Sequence, residues 1–382
     1  MNNRAGHYEM QLQGYQSFVP NPLPPNPPIA MDDEMLYLLS TADRKLGRLD
    51  GITEILPNPD LFVKMYVKKE AILSSQIEGT QASFIDVLKE TKETQSSDEN
   101  VRDVVNYVDA MNYGLSRLTD LPLSLRLLRE IHSVLLQSGR GSEKIPGEFR
   151  KTQNWIGAPG CSLHNAAFVP PSVPDMLTAL DNLEKFLHSE TPIPDLIKIG
   201  IIHAQFETIH PFLDGNGRMG RLLITFWLCY KNILKRPLLY LSYYFKQHRS
   251  DYYDYLMDVR NNGNWENWIK FFLKGIASVS EEAVVSARKI IDLKIKLSKI
   301  LENSFGNNTT FPKLLDLIFD NPILSKNDVK KILGISYPTA NSAIDAFCKI
   351  NILKDMDTSK KRYKQYKFVE YIDILNEGTD IL

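Results

Sequence analysis

A twelve-residue run, His210-Pro211-Phe212-Leu213-Asp214-Gly215-Asn216-Gly217-Arg218-Met219-Gly220-Arg221, leads directly into the apolar stretch Leu222-Leu223-Ile224-Thr225-Phe226-Trp227-Leu228. Few local architectures accept that order. The Gly-Asn-Gly turn lets successive N–H groups converge on one point, and the apolar stretch reads as a buried helix whose positive N-terminal end faces the same point. Arg218 and Arg221 are three apart, so both guanidinium forks fall on one side of the first helical turn, where they can meet an anion. Asp214 is a hard oxygen ligand at the mouth of the loop, suited to a Mg²⁺ shared with phosphate oxygens. His210 is the one group of the run able to take a proton near neutral pH. The whole reads as a phosphate site built on a helix start. A bare Gly-Asn-Gly fragment with solvated arginines would read only as a turn.

Upstream, Leu61 to Glu78 reads as one long helix after Pro57-Asn58-Pro59, with Gly79 as its stop. Further helices are expected from Met31 to Leu49 with Leu36, Leu39, Leu46 and Leu49 on one side, from Thr80, and at about 101–118, 123–137 and 175–188. The polar run Thr91 to Asn100 reads as a surface loop. Pro194 opens a largely buried helix that delivers His210. His203 and His210 are seven apart, the wrong spacing for a two-histidine zinc helix, so His203 reads as a satisfied core histidine. Between Pro146 and Val173 the pattern leaves helix: Asn154-Trp155-Ile156 and Ala167-Phe168-Val169 are short β-prone pieces around the loop Gly157 to Asn165, either a hairpin or an irregular surface loop.

At every specified position the run 210–221 resembles the Fic motif, His-Pro-Phe-x-x-Gly-Asn-Gly-Arg-x-x-Arg. Ser74-x-x-x-Glu78-Gly79 looks like the inhibitory motif of many Fic proteins, in which the glutamate reaches the second arginine, here Arg221. A carboxylate on that fork removes it from a phosphate and repels one. The resemblance implies a mainly α fold, a Fic-type helical bundle with a small β-hairpin flap made by Trp155, Ile156, Phe168 and Val169, whose free edge holds a target segment by strand addition. It also implies transfer of AMP from ATP to a Ser, Thr or Tyr hydroxyl of a target protein. His210 would be the base, Gly215, Asn216, Gly217, Arg218 and Arg221 would hold phosphate, and Asp214 would hold Mg²⁺. Gln205 could reach the nucleotide, and Tyr243, Tyr244 and His248 are the candidates to border the adenine. Alternatives within the fold are transfer of UMP or phosphocholine, or removal of AMP with Glu78 positioning a water. A homodimer is expected by the same likeness.

The tail is a separate matter. Glu302 to Asn308 reads as a domain boundary, giving an arm and helix at 1–57, a Fic domain at 58–302 and a C-terminal domain at 309–382. In the last of these, helices near 311–319, 327–333 and 337–347 precede the alternating basic and aromatic run Lys360 to Lys367, which resembles a winged helix-turn-helix. The third helix is poor in Arg and Lys, which favours dimerisation or docking over DNA binding, although a nucleotide-sensing DNA-binding regulator stays open. The proline-rich stretch Phe18 to Ile29 must be extended, packed along its own protein or serving as an SH3-type ligand.

In 382 residues the net charge is −1, so no global pull toward nucleic acid or anionic membrane exists. Cys161, Cys229 and Cys348 are isolated, which points to a reducing compartment and no zinc site. With no signal-peptide pattern at Met1 and no apolar run long enough to span a bilayer, a cytoplasmic protein is expected.

Overall fold

The computed structural model describes residues 3–55, 59–89, 98–158, 160–306, 308–357 and 364–379. The loop 210–221 sits between two buried helices, α7 (Asp195–Ile209) and α8 (Asn216–Tyr230), which pack side by side. Every residue of α7 after Asp195 is buried: its Leu, Ile, Ala and Phe are spread around the helix, and Lys198, His203, Gln205, Glu207 and Thr208 are buried among them.

Around that pair lie α1 (Asp33–Ile55), α2 (Pro59–Ile77), α3 (Phe84–Lys89), α4 (Glu99–Arg117), α5 (Leu125–Leu135), α6 (Val173–His188), α9 (Ser242–Gln247) and α10 (Arg249–Asn262). A 41-residue helix, α11 (Trp265–Phe305), packs on α1, α7, α9 and α10. It runs three residues beyond the expected boundary at 302, since Leu293, Leu297 and Leu301 continue its buried stripe. The stripe of α1 is phased differently from the expectation: Met35, Leu38, Ala42, Leu46 and Leu49 are buried, while Leu36 is exposed. A spacing of three and four residues from Met35 follows the 3.6-residue turn better than one from Leu36.

An N-terminal hairpin appears where only an extended arm was expected. Strand β1 (Gly6–Met10) pairs antiparallel with β2 (Gln16–Pro20), His7 opposite Val19 and Glu9 opposite Ser17. Gln11 N–H closes the turn on the Tyr15 carbonyl, with Gly14 at φ +80°. The signal was a Gly-containing turn between two β-prone pieces.

The tail consists of α12 (Thr310–Asp320), β3 (Ile323–Ser325), α13 (Lys326–Leu333), α14 (Tyr337–Lys349), β4 (Lys354–Asp355), β5 (Gln365–Lys367) and α15 (Val369–Asn376). Its three strands form an antiparallel sheet in the order β3-β5-β4. The basic residues Lys360, Lys361 and Arg362, like most of the polar run Thr91 to Asn100, lie outside the described residues. Helix α15 packs against α11 and α2, so the tail lies on the main body.

Candidate active site

His210 caps α7 in the left-handed region at φ 49°, uncommon for a residue with a Cβ. The chain can then turn through Pro211-Phe212-Leu213-Asp214 and re-enter a helix at Asn216. Three side chains hold this turn by its backbone. Asn216 donates to the Phe212 carbonyl and accepts from the Phe212 N–H, both at 2.8 Å. Arg150, buried, donates Nε to the His210 carbonyl at 3.0 Å, and Asn154 donates to the carbonyls of His210 and Phe212. A fourth contact escaped the sequence reading. His132 of α5 stacks on Phe212 with ring centroids 3.7 Å apart, accepts the Gly147 N–H on Nδ1 at 2.9 Å and faces the Asp214 carbonyl from Nε2 at 3.0 Å. Because Nδ1 accepts, the proton sits on Nε2 and is donated to Asp214. Burial pushes the His132 pKa down to about 4, keeping it neutral and in that role.

The loop's charged groups are unequally partnered. Arg221 is 2% exposed and engaged through two of its nitrogens: Nε donates to Ser74 Oγ at 2.8 Å, and Nη2 reaches the Ser74 carbonyl at 3.0 Å and Glu78 Oε1 at 2.7 Å. Arg218 is 1% exposed, yet its Nε and Nη1 make no hydrogen bond among the described residues, and Nη2 stands 3.6 Å from Asp214 Oδ1. Two buried, unpaired N–H groups on a cation are costly unless an anion completes them. The Glu78 carboxylate lies over the first turn of α8, where a Cβ on Gly217 would collide with its Oε1. Burial works to raise the Glu78 pKa, but Arg221, helped by Arg218 and His210, outweighs it and holds the carboxyl below its usual range. The backbone carrying Glu78 is a tight turn in which the Ser75 carbonyl accepts from the N–H groups of Glu78 and Thr80, with Gly79 at φ +90°.

His210 is half-buried, and its Nδ1 is buried without a hydrogen bond of normal geometry. Burial, then Arg260 and Arg150, lower its pKa to about 3, so it is neutral at pH 7. Arrival of an anion would offset those two cations and raise its basicity. His203 is the satisfied core histidine that was expected, bonded to the Gly220 carbonyl and the Tyr252 hydroxyl.

The two further residues expected at the nucleotide stand as follows. Gln205, 3% exposed, donates to the Asn21 carbonyl of the N-terminal arm at 3.1 Å. His248 stands between α9 and α10 beside Tyr244, Phe271 and Asp251. Tyr253, on α10, is instead in the field of Glu78 and Arg221, and burial followed by Glu78 raises its pKa to about 12. The expected flap residues Ile156 and Phe168 form a two-bond antiparallel bridge at 2.8 and 3.1 Å, with Trp155 exposed. The Val169 carbonyl is taken by the Phe18 N–H of β2 at 3.0 Å, so the N-terminal hairpin extends the flap on that side.

Asp214 offers one carboxylate, about one-third exposed, and no group of three or more His, Cys, Asp or Glu suited to a metal exists among the described residues. That fits a Mg²⁺ only in company with phosphate oxygens, the usual way this ion is shared.

Residues 36–116 match the Fic/DOC family N-terminal model and residues 122–228 match the Fic/DOC family model. This chain belongs to the Fic/DOC family. The protein adenylyltransferase Fic of Culex quinquefasciatus is 30% identical over 204 residues, which is 51% of this chain and 37% of that protein. The protein of the same name from Aedes aegypti is 31% identical over 151 residues, 39% of this chain and 27% of its own length. The chain thus spans about a third of the length of these relatives. A Fic family protein of Desulfovibrio desulfuricans G20 superposes with a TM-score of 0.57 at 21% identity, covering 90% of this chain and 98% of that one. A Fic domain containing signaling protein of Bacteroides thetaiotaomicron VPI-5482 gives 0.50 at 16% identity, over 67% and 96%. Both share the mainly helical Fic fold. No described helix is long and apolar enough to cross a membrane.

Proposed function

We propose that this Fic/DOC chain is a protein adenylyltransferase held inactive by Glu78. The observation that supports this reading best is the unequal state of the two arginines: Arg218 is buried with two N–H groups waiting for an anion, while Arg221 is closed by a carboxylate. With Glu78 withdrawn, Arg221 and Arg218 would meet the β- and γ-phosphates of ATP over the uncapped start of α8. Asp214 would hold a Mg²⁺, which when bound draws charge from the phosphate oxygens. The target's Ser, Thr or Tyr oxygen attacks the α-phosphorus, His210 takes its proton, the bond to the β-phosphate oxygen breaks, and pyrophosphate leaves. The free edge beside the Ile156–Phe168 bridge, at Trp155, would align the target segment by backbone pairing. The tail reads as a winged helix-turn-helix used for docking, and the names of the relatives support ATP and a protein as the two substrates.

The test is incubation of the purified chain with Mg²⁺ and ATP labelled on the α-phosphate. Glu78→Gly is expected to label itself or added proteins at least tenfold more than the native chain, an effect of the size one charged contact supplies. His210→Ala in that background is expected to abolish label while still binding ATP. Equal labelling by Glu78→Gly and the native chain rejects the inhibition, and label retained without His210 rejects the base. Intact mass of the product separates AMP from other phosphate-linked groups.

A further inference from the structure

The turn that carries Glu78 is held from outside the Fic core, by the last described residues of the tail. Gln76 lies two residues before Glu78, and its own carbonyl accepts the Gly79 N–H at 3.0 Å. Its side chain points the other way. Nε2 donates to the Thr379 carbonyl at 3.0 Å and to the Ala82 carbonyl at 3.3 Å, while Oε1 accepts from Lys246 Nζ at 2.8 Å. One residue thus joins the inhibitory turn to the tail.

The tail segment is built for that contact. Thr379 is 2% exposed, and its N–H and hydroxyl both bond to the Asn376 carbonyl at 2.9 Å, which folds the chain back after α15. Gly378 makes the reversal at φ +80° with its α-carbon against the Tyr243 ring, where a Cβ would collide with ring carbons. Tyr371, Ile372 and Leu375 of α15 are buried, and Glu377 pairs with Lys289 at 3.3 Å. At the other end of α2, Lys64 stands 3.6 Å from Asp320 of α12. The tail therefore touches α2, the helix that leads into the Glu78 turn, both near its start and at its end.

We propose that the segment Asn376–Thr379 is a positioning element for Glu78: through Gln76 it fixes the turn that sets the carboxylate on Arg221, and displacing the tail loosens that contact. The proposal rests on the inhibitory reading of Glu78. It makes the tail an input to the active site, so that a protein or second subunit docking on the tail would alter AMP transfer without touching the nucleotide. The coupling is carried by a hydrogen bond and a packed turn, each with a distinct broken state.

The experiment compares four full-length chains, native, Glu78→Gly, Gly378→Val and Gln76→Ala, by labelling with α-labelled ATP and by the KM for ATP. Gly378→Val should expel the segment without altering α2 or the loop, and Gln76→Ala should cut the same link from the other side. Each is expected to raise kcat/KM for ATP by about two- to tenfold, the worth of one hydrogen bond, with faster hydrogen exchange at the Glu78 and Gly79 amides. Neither should add to the activity of Glu78→Gly when combined with it. An active Glu78→Gly beside native-level labelling by both others overturns the positioning role alone. A Glu78→Gly no more active than native overturns the inhibition and this proposal together, and an increase that persists in the Glu78→Gly background overturns the route through Glu78. Should Gly378→Val yield little folded chain, a chain ended after Glu377 takes its place with the same outcomes, because it removes Thr379 and leaves the bonds of Gln76 to Ala82 and Lys246 intact.

Discussion

The start of α8 and the starts of the two central tail helices, α13 and α14, are the same kind of element treated in opposite ways. In the tail, Ser325 and Asp328 form a reciprocal capping box on α13, and Ser336 accepts from the Thr339 N–H on α14. The cation beside them is neutralised too, since Lys326 Nζ reaches Asn341 at 2.6 Å and Asp345 at 2.9 Å. Helix α8 begins after Gly215 at φ 75°, with no side-chain cap among the described residues, and its Arg218 has N–H groups that none of them pairs. A helix start satisfied by its own sequence is a structural joint. One without a side-chain cap in a buried setting, with a cation beside it and the Glu78 carboxylate over it, is suited to an anion.

The strongest way to break that contrast is Arg218→Ala in the Glu78→Gly background. Transfer is expected to fall by about 10²–10³-fold in kcat, the range for removing one preorganised charge-stabilising donor. A loss under about tenfold would make Arg218 a packing residue. Next in size is His132→Ala, which removes the ring stacked on Phe212 and the donor to the Asp214 carbonyl. Activity should drop by roughly tenfold with a raised Mg²⁺ requirement, as for groups that orient a metal ligand. An unchanged Mg²⁺ dependence would reduce His132 to a core residue.

The pH profile sharpens the same contrast. A base with a pKa near 6.5 would lose kcat/KM below that pH, whereas His210, lowered to about 3 by burial and its two arginine neighbours, stays unprotonated in the free enzyme. The kcat/KM of Glu78→Gly should therefore keep its plateau from pH 7 to 5.5. A limb centred near 6.5 would show that the imidazole is far more solvated than the fold implies. Smallest are the tail caps: Ser325→Ala and Ser336→Ala should each cost about 1 kcal/mol of stability and leave labelling of the Glu78→Gly chain unchanged.

The loop and its contact with Glu78 were readable because they are written in short, local spacings. Gly-Asn-Gly followed by Arg218 and Arg221 defines a turn into a helix, and Ser74 with Glu78 falls one helical turn apart. The supports of the loop were not readable. His132 is one polar residue in the apolar stripe of α5, and only the fold, by stacking it on a residue 80 positions away, gives it a task. Gln205 adds a second case: the arm, whose hairpin was hidden in five-residue strands, supplies a carbonyl to it that no local pattern announces. The link from Gln76 to Thr379 spans 303 residues and leaves no pattern in either segment.

Helix α11 has a mechanical consequence. Forty-one residues in one unbroken helix make a shaft of about 60 Å, longer than the width of an ordinary domain. Lys289, Lys294 and Lys296, all in its second half, pair with Glu377, Asp316 and Glu370 of the tail, while α1, α7, α9 and α10 of the body pack on the same helix. The tail rests on both α11 and α2, so a load applied to it is borne by two packed faces rather than by a slack tether.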